Sequence, residues 1–365
     1  MKVGGVNPLG TLDGRYLSLP VGHADWEEKS TWFRSTSFRA ARAAGFLPAI
    51  EWKGRPPTPE IAAEIAAEGV YWGIHAPNDF ADQFRKGVFN KEVADFRSYM
   101  ETVAPLRPGY VVVHGGLDSL IPMGEVPLDD HIERYKSPIS GLEYELAKMV
   151  QFAFHAAMRR LMVDESVLLL ENTSITEFVD GVRLPTYTHP RVGNWIDVGA
   201  IARASGAEPL CDIGHLQYSH NFFYREQDYA GLPFADGPDL CNPLHRAFLL
   251  EGLCVRKGEF PVYHHGARSL SGAIEKIDAD FYHLEGGVRE EENGKIMTHA
   301  PIEYGDRRIR GILRQILSRK RILICLEVDG SRPDGGGPFP DREPTEVLQR
   351  SSWMNLCRMA VEEAH

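Results

Sequence analysis

The segment "VVVHGG" at 111–116 runs three β-branched residues into a histidine and two glycines. Such residues pack well on a pleated surface, and with Tyr110 ahead of them they read as a strand buried on both faces. The glycine pair ends the run, because glycine weakens a strand and frees the backbone for a loop. A lone histidine at a strand end is more often a satisfied structural residue than a ligand. The segment gains meaning only if its pattern recurs.

It does recur. Strand-like runs stand at "KVGGV" (2–6), "LPAIEW" (47–52), "VYWGIH" (70–75), "YVVVH" (110–114), "SVLLLE" (166–171), "EPLCDI" (208–213), "DFYHLE" (280–285) and "RILICLEV" (321–328). Between them lie segments such as "TPEIAAEIAAEG" and "DRRIRGILRQILSR", with apolar residues at the three-to-four spacing of an amphipathic helix. Strand and helix alternate, and the strands are continuous apolar runs, as in a parallel sheet covered on both faces. Eight such units predict a (β/α)8 TIM barrel, an α/β fold, formed as one domain over 1–365. A doubly wound open sheet is the competing topology.

Three connections exceed what a barrel needs: 116–140, 172–193 and 215–239. All three leave the C-terminal ends of strands, the face that carries the active site in such barrels. They read as a lid or specificity wall, or as drift in surface loops.

The composition bounds the rest. With 43% hydrophobic and 25% charged residues the chain has globular values, and no apolar run is long enough to span a bilayer. No membrane partner is expected. The start "MKVGGVNPLG" does not read as a signal peptide, and the five cysteines contain no CxxC pair. A cytoplasmic location is therefore expected. The net charge of -11 argues against nucleic acid as partner, although a small basic groove around "SRKRILI" (318–324) is compatible with it.

The strand ends carry the chemistry. His75, His114, Glu171, Asp212, His283 and Glu327 each follow apolar positions at or near the end of a strand. An ionised carboxylate at the rim of a dry interior is costly unless compensated, and a divalent metal compensates several at once. His215, three residues past Asp212, and His299, past the seventh strand, extend the set. Glu51 and Asn172 are candidate substrate contacts at neighbouring strand ends.

The ordered motifs "GIHAP" (73–77), "VVVHGG", "LLLENT" (168–173), "CDIGH" (211–215), "YHLEGG" (282–287), "HAPIEYGD" (299–306) and "LEVDG" (326–330) resemble the xylose isomerase-like barrel superfamily. That superfamily includes sugar-phosphate isomerases/epimerases and endonuclease IV. The resemblance implies a shared metal site at Glu171, Asp212, His283 and Glu327. In the endonuclease IV pattern it implies a second metal on His75 and His114 with Glu171 bridging. A third would take His215, His299 and an Asp whose position is Met297 here. One to three divalent ions per chain (Mn, Zn or Fe) follow.

Three activities remain open. An isomerase or epimerase of a small polar substrate would use Glu171 and Glu327 as an acid/base pair. An endonuclease IV-like zinc cluster would hydrolyse a phosphoester, and Met297 and the acidic balance weigh against DNA as its substrate. A multinuclear iron oxidase acting on a peptide is the third, by faint similarity of "LLLENTS" and "LEVDGSRP".

Overall fold

The computed structural model describes residues 12–23, 26–31, 36–77, 89–114, 152–153, 155–162, 166–172, 176–179, 182–185, 198–217, 270–286, 289–290, 296–297, 299–328 and 345–363. Among them the strands are β1 (Arg15–Val21), β2 (Leu47–Lys53), β3 (Tyr71–His75), β4 (Tyr110–His114), β5 (Val167–Glu171), β6 (Thr176–Val179), β7 (Val182–Pro185), β8 (Glu208–Asp212), β9 (Phe281–Leu284), β10 (Arg289–Glu290), β11 (Ile296–Met297) and β12 (Ile322–Leu326). Eight of these close into a parallel barrel in the order β1, β2, β3, β4, β5, β8, β9, β12, with β12 returning to β1. The open-sheet alternative is thereby excluded. The antiparallel pairs β6/β7 and β10/β11 lie outside the barrel sheet.

One strand differs from expectation. The barrel's first strand is "RYLSLPV" at 15–21, paired with both β12 and β2. The run at 2–6 lies outside the described residues and is not one of the eight barrel strands. Polar Arg15 and Ser18, together with Pro20, break the apolar run of β1, yet its burial is nearly continuous, with Tyr16 in the inner cluster and Leu17, Leu19 and Val21 in the core on the helix side. Proline is accommodated at the strand's end, where the sheet gives way to a loop.

Helices wrap the barrel, and their ends follow from capping chemistry. In the helix Pro59–Ala67 the Thr58 hydroxyl accepts from the Ile61 amide at 3.3 Å, and Pro59 starts the helix where its missing N–H costs nothing. In the helix Arg307–Ile316, Asp306 accepts from the amides of Arg308 and Ile309 at 2.8 and 3.2 Å. That helix buries Ile309, Ile312, Leu313 and Ile316, a stripe at three-to-four spacing. The last helix, Thr345–Glu363, closes the ring against the helix Thr36–Ala43. There Trp353 stacks on Phe38 with centroids 5.4 Å apart, and its indole N–H donates to the Ser37 carbonyl at 2.7 Å.

The interior is layered by the period of two along each strand. Tyr16, Ala49, Tyr110, Val112, Leu169, Leu210, Phe281, Leu323 and Cys325 form one cluster inside the barrel, with Tyr71 and Val167 packed against it. Their outward neighbours, including Val111, Val113, Leu168, Leu170, Ile322 and Ile324, belong to the larger core under the helices. Continuing the same alternation upward points Glu51, Lys53, His75, His114, Glu171, Asp212, His283 and Glu327 into the barrel mouth.

Of the long connections, 116–140 lies outside the described residues; 172–193 is seen at Asn172 and the β6/β7 hairpin, and 215–239 only at 215–217. None of the described helices is long and apolar enough to cross a membrane.

Candidate metal centre

Strand register sets the lateral neighbours. His114 stands beside Glu171, Asp212 beside His283, and Lys53 beside His75. All are inward positions of adjacent parallel strands, so their side chains meet above the apolar layer.

At the centre is His283, fully buried, with both ring nitrogens aimed at carboxylates. Its Nδ1 lies 3.2 Å from Glu327 Oε1, 3.3 Å from Glu171 Oε1 and 3.8 Å from Asp212 Oδ2. This nitrogen is buried yet makes no hydrogen bond of good geometry. A nitrogen lone pair and three carboxylate oxygens within 4.8 Å of one another form a donor set suited to a hard or borderline divalent ion. The residues present therefore fit the metal that the superfamily resemblance implies.

The electrostatics agree. Burial pushes the His283 imidazole pKa down, but Glu327, Glu51 and Glu171 outweigh it and raise it well above the ordinary value. Burial alone would raise Glu171 and Glu327; His283 and its neighbours instead hold both well below the usual carboxylate range. Asp212 is raised, chiefly by burial. The centre thus uses a proton on His283 to balance converging carboxylates, and a divalent ion can replace that proton.

A second set shares Glu171. His75 Nε2 lies 2.9 Å and His114 Nε2 3.7 Å from Glu171 Oε2. The Nδ1 of His75 donates to the Ala76 carbonyl at 2.9 Å, which turns Nε2 toward Glu171. Burial drives the His114 pKa down to about 3, so its imidazole is neutral and carries a lone pair. His75, His114 and Glu171 together satisfy the same proximity as the first set.

His215 and His299 join no such set among the described residues. The Nδ1 of His215 donates to the Asn172 carbonyl at 2.8 Å and lies 3.4 Å from Glu171 Oε1. His299, in the left-handed region at φ 51°, places Nδ1 2.8 Å from Glu285 Oε2 and 3.1 Å from the Glu327 carbonyl. Met297 ends β11, two residues before it.

Glu51 and Asn172 are both fully buried. Glu51 Oε2 accepts from His283 Nε2 at 3.1 Å and from the Tyr110 hydroxyl at 3.2 Å. Asn172 spends its amide on Asp212, accepting from its N–H at 2.7 Å and donating to its carbonyl at 3.0 Å. Both brace metal-ligand candidates from behind. Two further residues escaped the motif reading. Lys53 bridges Glu51, at 2.7 Å, and Glu327, and the buried Glu285 pairs with His299. Alternation on β2 could have found Lys53, two residues past the inward Glu51.

Above the centre opens a pocket of about 660 Å³ whose lining includes Lys53, His75, His114, Glu171, His215, His299 and Glu327. It is a concave site with convergent polar groups, of small-molecule size.

Neither a protein-family model nor a curated protein matches the chain. Among solved structures it is similar to an L-ribulose 3-epimerase, at 12% identity and TM-score 0.46 over 95% of this chain and 96% of that one. It is also similar to a xylose isomerase-like TIM barrel protein from Mycobacterium smegmatis in complex with magnesium, at 12% identity and TM-score 0.41 over 96% and 98% of the two chains. A sugar phosphate isomerase/epimerase from Parabacteroides distasonis gives 9% identity and TM-score 0.42 over 94% and 93%. By its own strand order, the chain is a closed (β/α)8 barrel.

Proposed function

We propose that the chain is a metal-dependent isomerase or epimerase of a small polyhydroxylated substrate. The observation that carries this reading is the buried Nδ1 of His283 facing Glu171, Asp212 and Glu327, of which Glu171 and Glu327 line the pocket. Those four residues would hold the ion, with His75 and His114 available for another beside Glu171. A divalent cation there supplies Lewis acidity toward a substrate carbonyl or hydroxyl.

The chain's own residues supply the rest. The ligand oxygens of Glu171 and Glu327 lie within 4.8 Å of each other, and both residues line the pocket. Moving a proton between adjacent substrate carbons needs a base that takes it and an acid that returns it. Glu171 and Glu327 fill those roles. The histidines of the wall orient hydroxyl groups, and the buried Glu51 and Asn172 keep His283 and Asp212 in place.

Hydrolysis of a phosphoester is the second reading, favoured by the His75, His114 and Glu171 set, since two ions can clamp attacking and leaving oxygens. Two measurements separate the readings. Elemental mass spectrometry of protein purified without chelator should find close to one Mn, Co or Mg per chain for the isomerase. Two or three Zn point to hydrolysis, and two or three Fe to oxidation of a peptide. Incubating ketoses and their phosphates in D2O should place deuterium on the carbon next to the carbonyl. If no substrate of this class exchanges while a phosphodiester is cleaved, the hydrolase reading replaces the first.

A further inference from the structure

Lys53 closes β2 one pleat above Glu51, and its ammonium reaches Glu51 Oε1 at 2.7 Å and Glu327 Oε1. That same Glu327 oxygen is the one 3.2 Å from His283 Nδ1. One carboxylate oxygen therefore faces both a fixed cation of the chain and the point where the ligand atoms converge. An ammonium and a divalent ion on one oxygen form a like-charge pair, and their repulsion at contact distance disfavours holding both.

Without an added cation, the buried Glu51, Glu171 and Asp212 and the half-buried Glu327 all lie around the single His283 ring, and carboxylates so placed require further compensation. Lys53 provides it. Its side chain is 30% exposed and lines the pocket, so its flexible stem can leave Glu327 without moving β2.

We propose that Lys53 is a built-in counter-ion that holds Glu327 until a divalent cation takes that carboxylate, so the Lys53–Glu327 pair and the loaded site exclude each other. This rests on reading Glu171, Asp212, His283 and Glu327 as a metal site. Two consequences follow. The lysine lowers metal affinity below what the carboxylates alone would give. Loading the site releases an ammonium at the pocket wall, where it can donate to a substrate oxygen only when the ion is in place.

Calorimetric titration with Mn2+ tests this on four proteins: the native chain, Lys53→Met, Lys53→Arg and Asp212→Asn. Lys53→Met should bind at least about tenfold more tightly than the native chain, from loss of one competing unit charge. Lys53→Arg, which keeps the charge, should stay within about threefold of it. Asp212→Asn should bind more weakly. Equal or weaker binding by Lys53→Met, with Asp212→Asn impaired, overturns the counter-ion role alone. A native chain that binds no Mn2+, or an Asp212→Asn variant that binds as well as the native chain, overturns the metal reading and the counter-ion with it. Should Lys53→Met fail to fold, amine acylation of the native chain gives the same answer. Peptide mass spectrometry should show Lys53 modified several-fold faster with Mn2+ than without, and an unchanged or slower rate overturns the proposal.

Discussion

His283 Nε2 stands 3.1 Å from Glu51 Oε2 while its Nδ1 faces Glu171, Asp212 and Glu327. The proton on Nε2 is held by a fully buried carboxylate, so Nδ1 is the nitrogen left to bind an ion. A carboxylate behind a histidine ligand orients the ring and raises its basicity. Glu51→Gln should therefore weaken metal binding by about 10–100-fold and leave KM little changed in metal-saturated protein. Metal titration alongside steady-state kinetics checks it. A raised KM with unaltered metal affinity would mean instead that Glu51 touches substrate.

Asp212 separates metal binding from stability. Burial raises its pKa, so its ionised form costs the folded chain free energy at neutral pH, and its Oδ1 accepts from the His215 amide at 2.7 Å. Asparagine can keep that bond and drop the charge. In chelator-treated protein Asp212→Asn should raise the unfolding free energy by about 1 kcal/mol. The same variant should be stabilised less than the native chain when Mn2+ is added. Urea unfolding with and without the ion reads both effects, and a destabilised metal-free variant would contradict the assignment of Asp212 as a strained ligand.

The strand-end residues were legible because parallel strands buried on both faces read as unbroken apolar runs. An ionisable residue closing such a run, as in "YWGIH" or "VLLLE", has nowhere to point but the barrel mouth or its rim. β1 was not legible, because Ser18 and Pro20 interrupt it, and only its two neighbours reveal that it is a barrel strand. Lys53 sits on the same face as Glu51 by simple alternation, but a lysine near a strand end usually reads as a solvated one. Glu285 depends on a contact distant in sequence. It packs where a side chain on Gly214 would come within 2.2 Å of its Oε1, and no local pattern shows that fit. The bracing of Asp212 by Asn172 likewise crosses from β5 to β8 and is invisible along the chain.

Gly73 makes room for the ring that supports Glu51. A Cβ there would lie 2.3 Å from two carbons of the Tyr110 ring, which is fully buried and cannot swing away. Gly73→Ala should cost about 1–3 kcal/mol, the usual penalty of overpacking a filled interior. Tyr110→Phe removes only the 3.2 Å hydrogen bond to Glu51 Oε2 and should cost about 1 kcal/mol. Denaturant midpoints measured on both variants compare the two. A neutral Gly73→Ala would show that the Tyr110 ring has freedom that its burial does not suggest.

His114 decides whether Glu171 serves one ion or two. Its ring meets His75 edge-on with centroids 5.3 Å apart, and its Nε2 lies 3.7 Å from Glu171 Oε2, so the second set is assembled around one shared carboxylate. Burial keeps the imidazole neutral, with its pKa near 3, and so able to donate a lone pair without first losing a proton. His114→Ala should remove one ion at most and leave Glu171, Asp212, His283 and Glu327 occupied. Glu327→Gln should instead impair the four-ligand set and abolish activity under each of the readings considered. Elemental analysis of both variants gives the comparison directly. Full metal content and full activity in His114→Ala would reduce the histidine of "VVVHGG" to a pocket-wall residue.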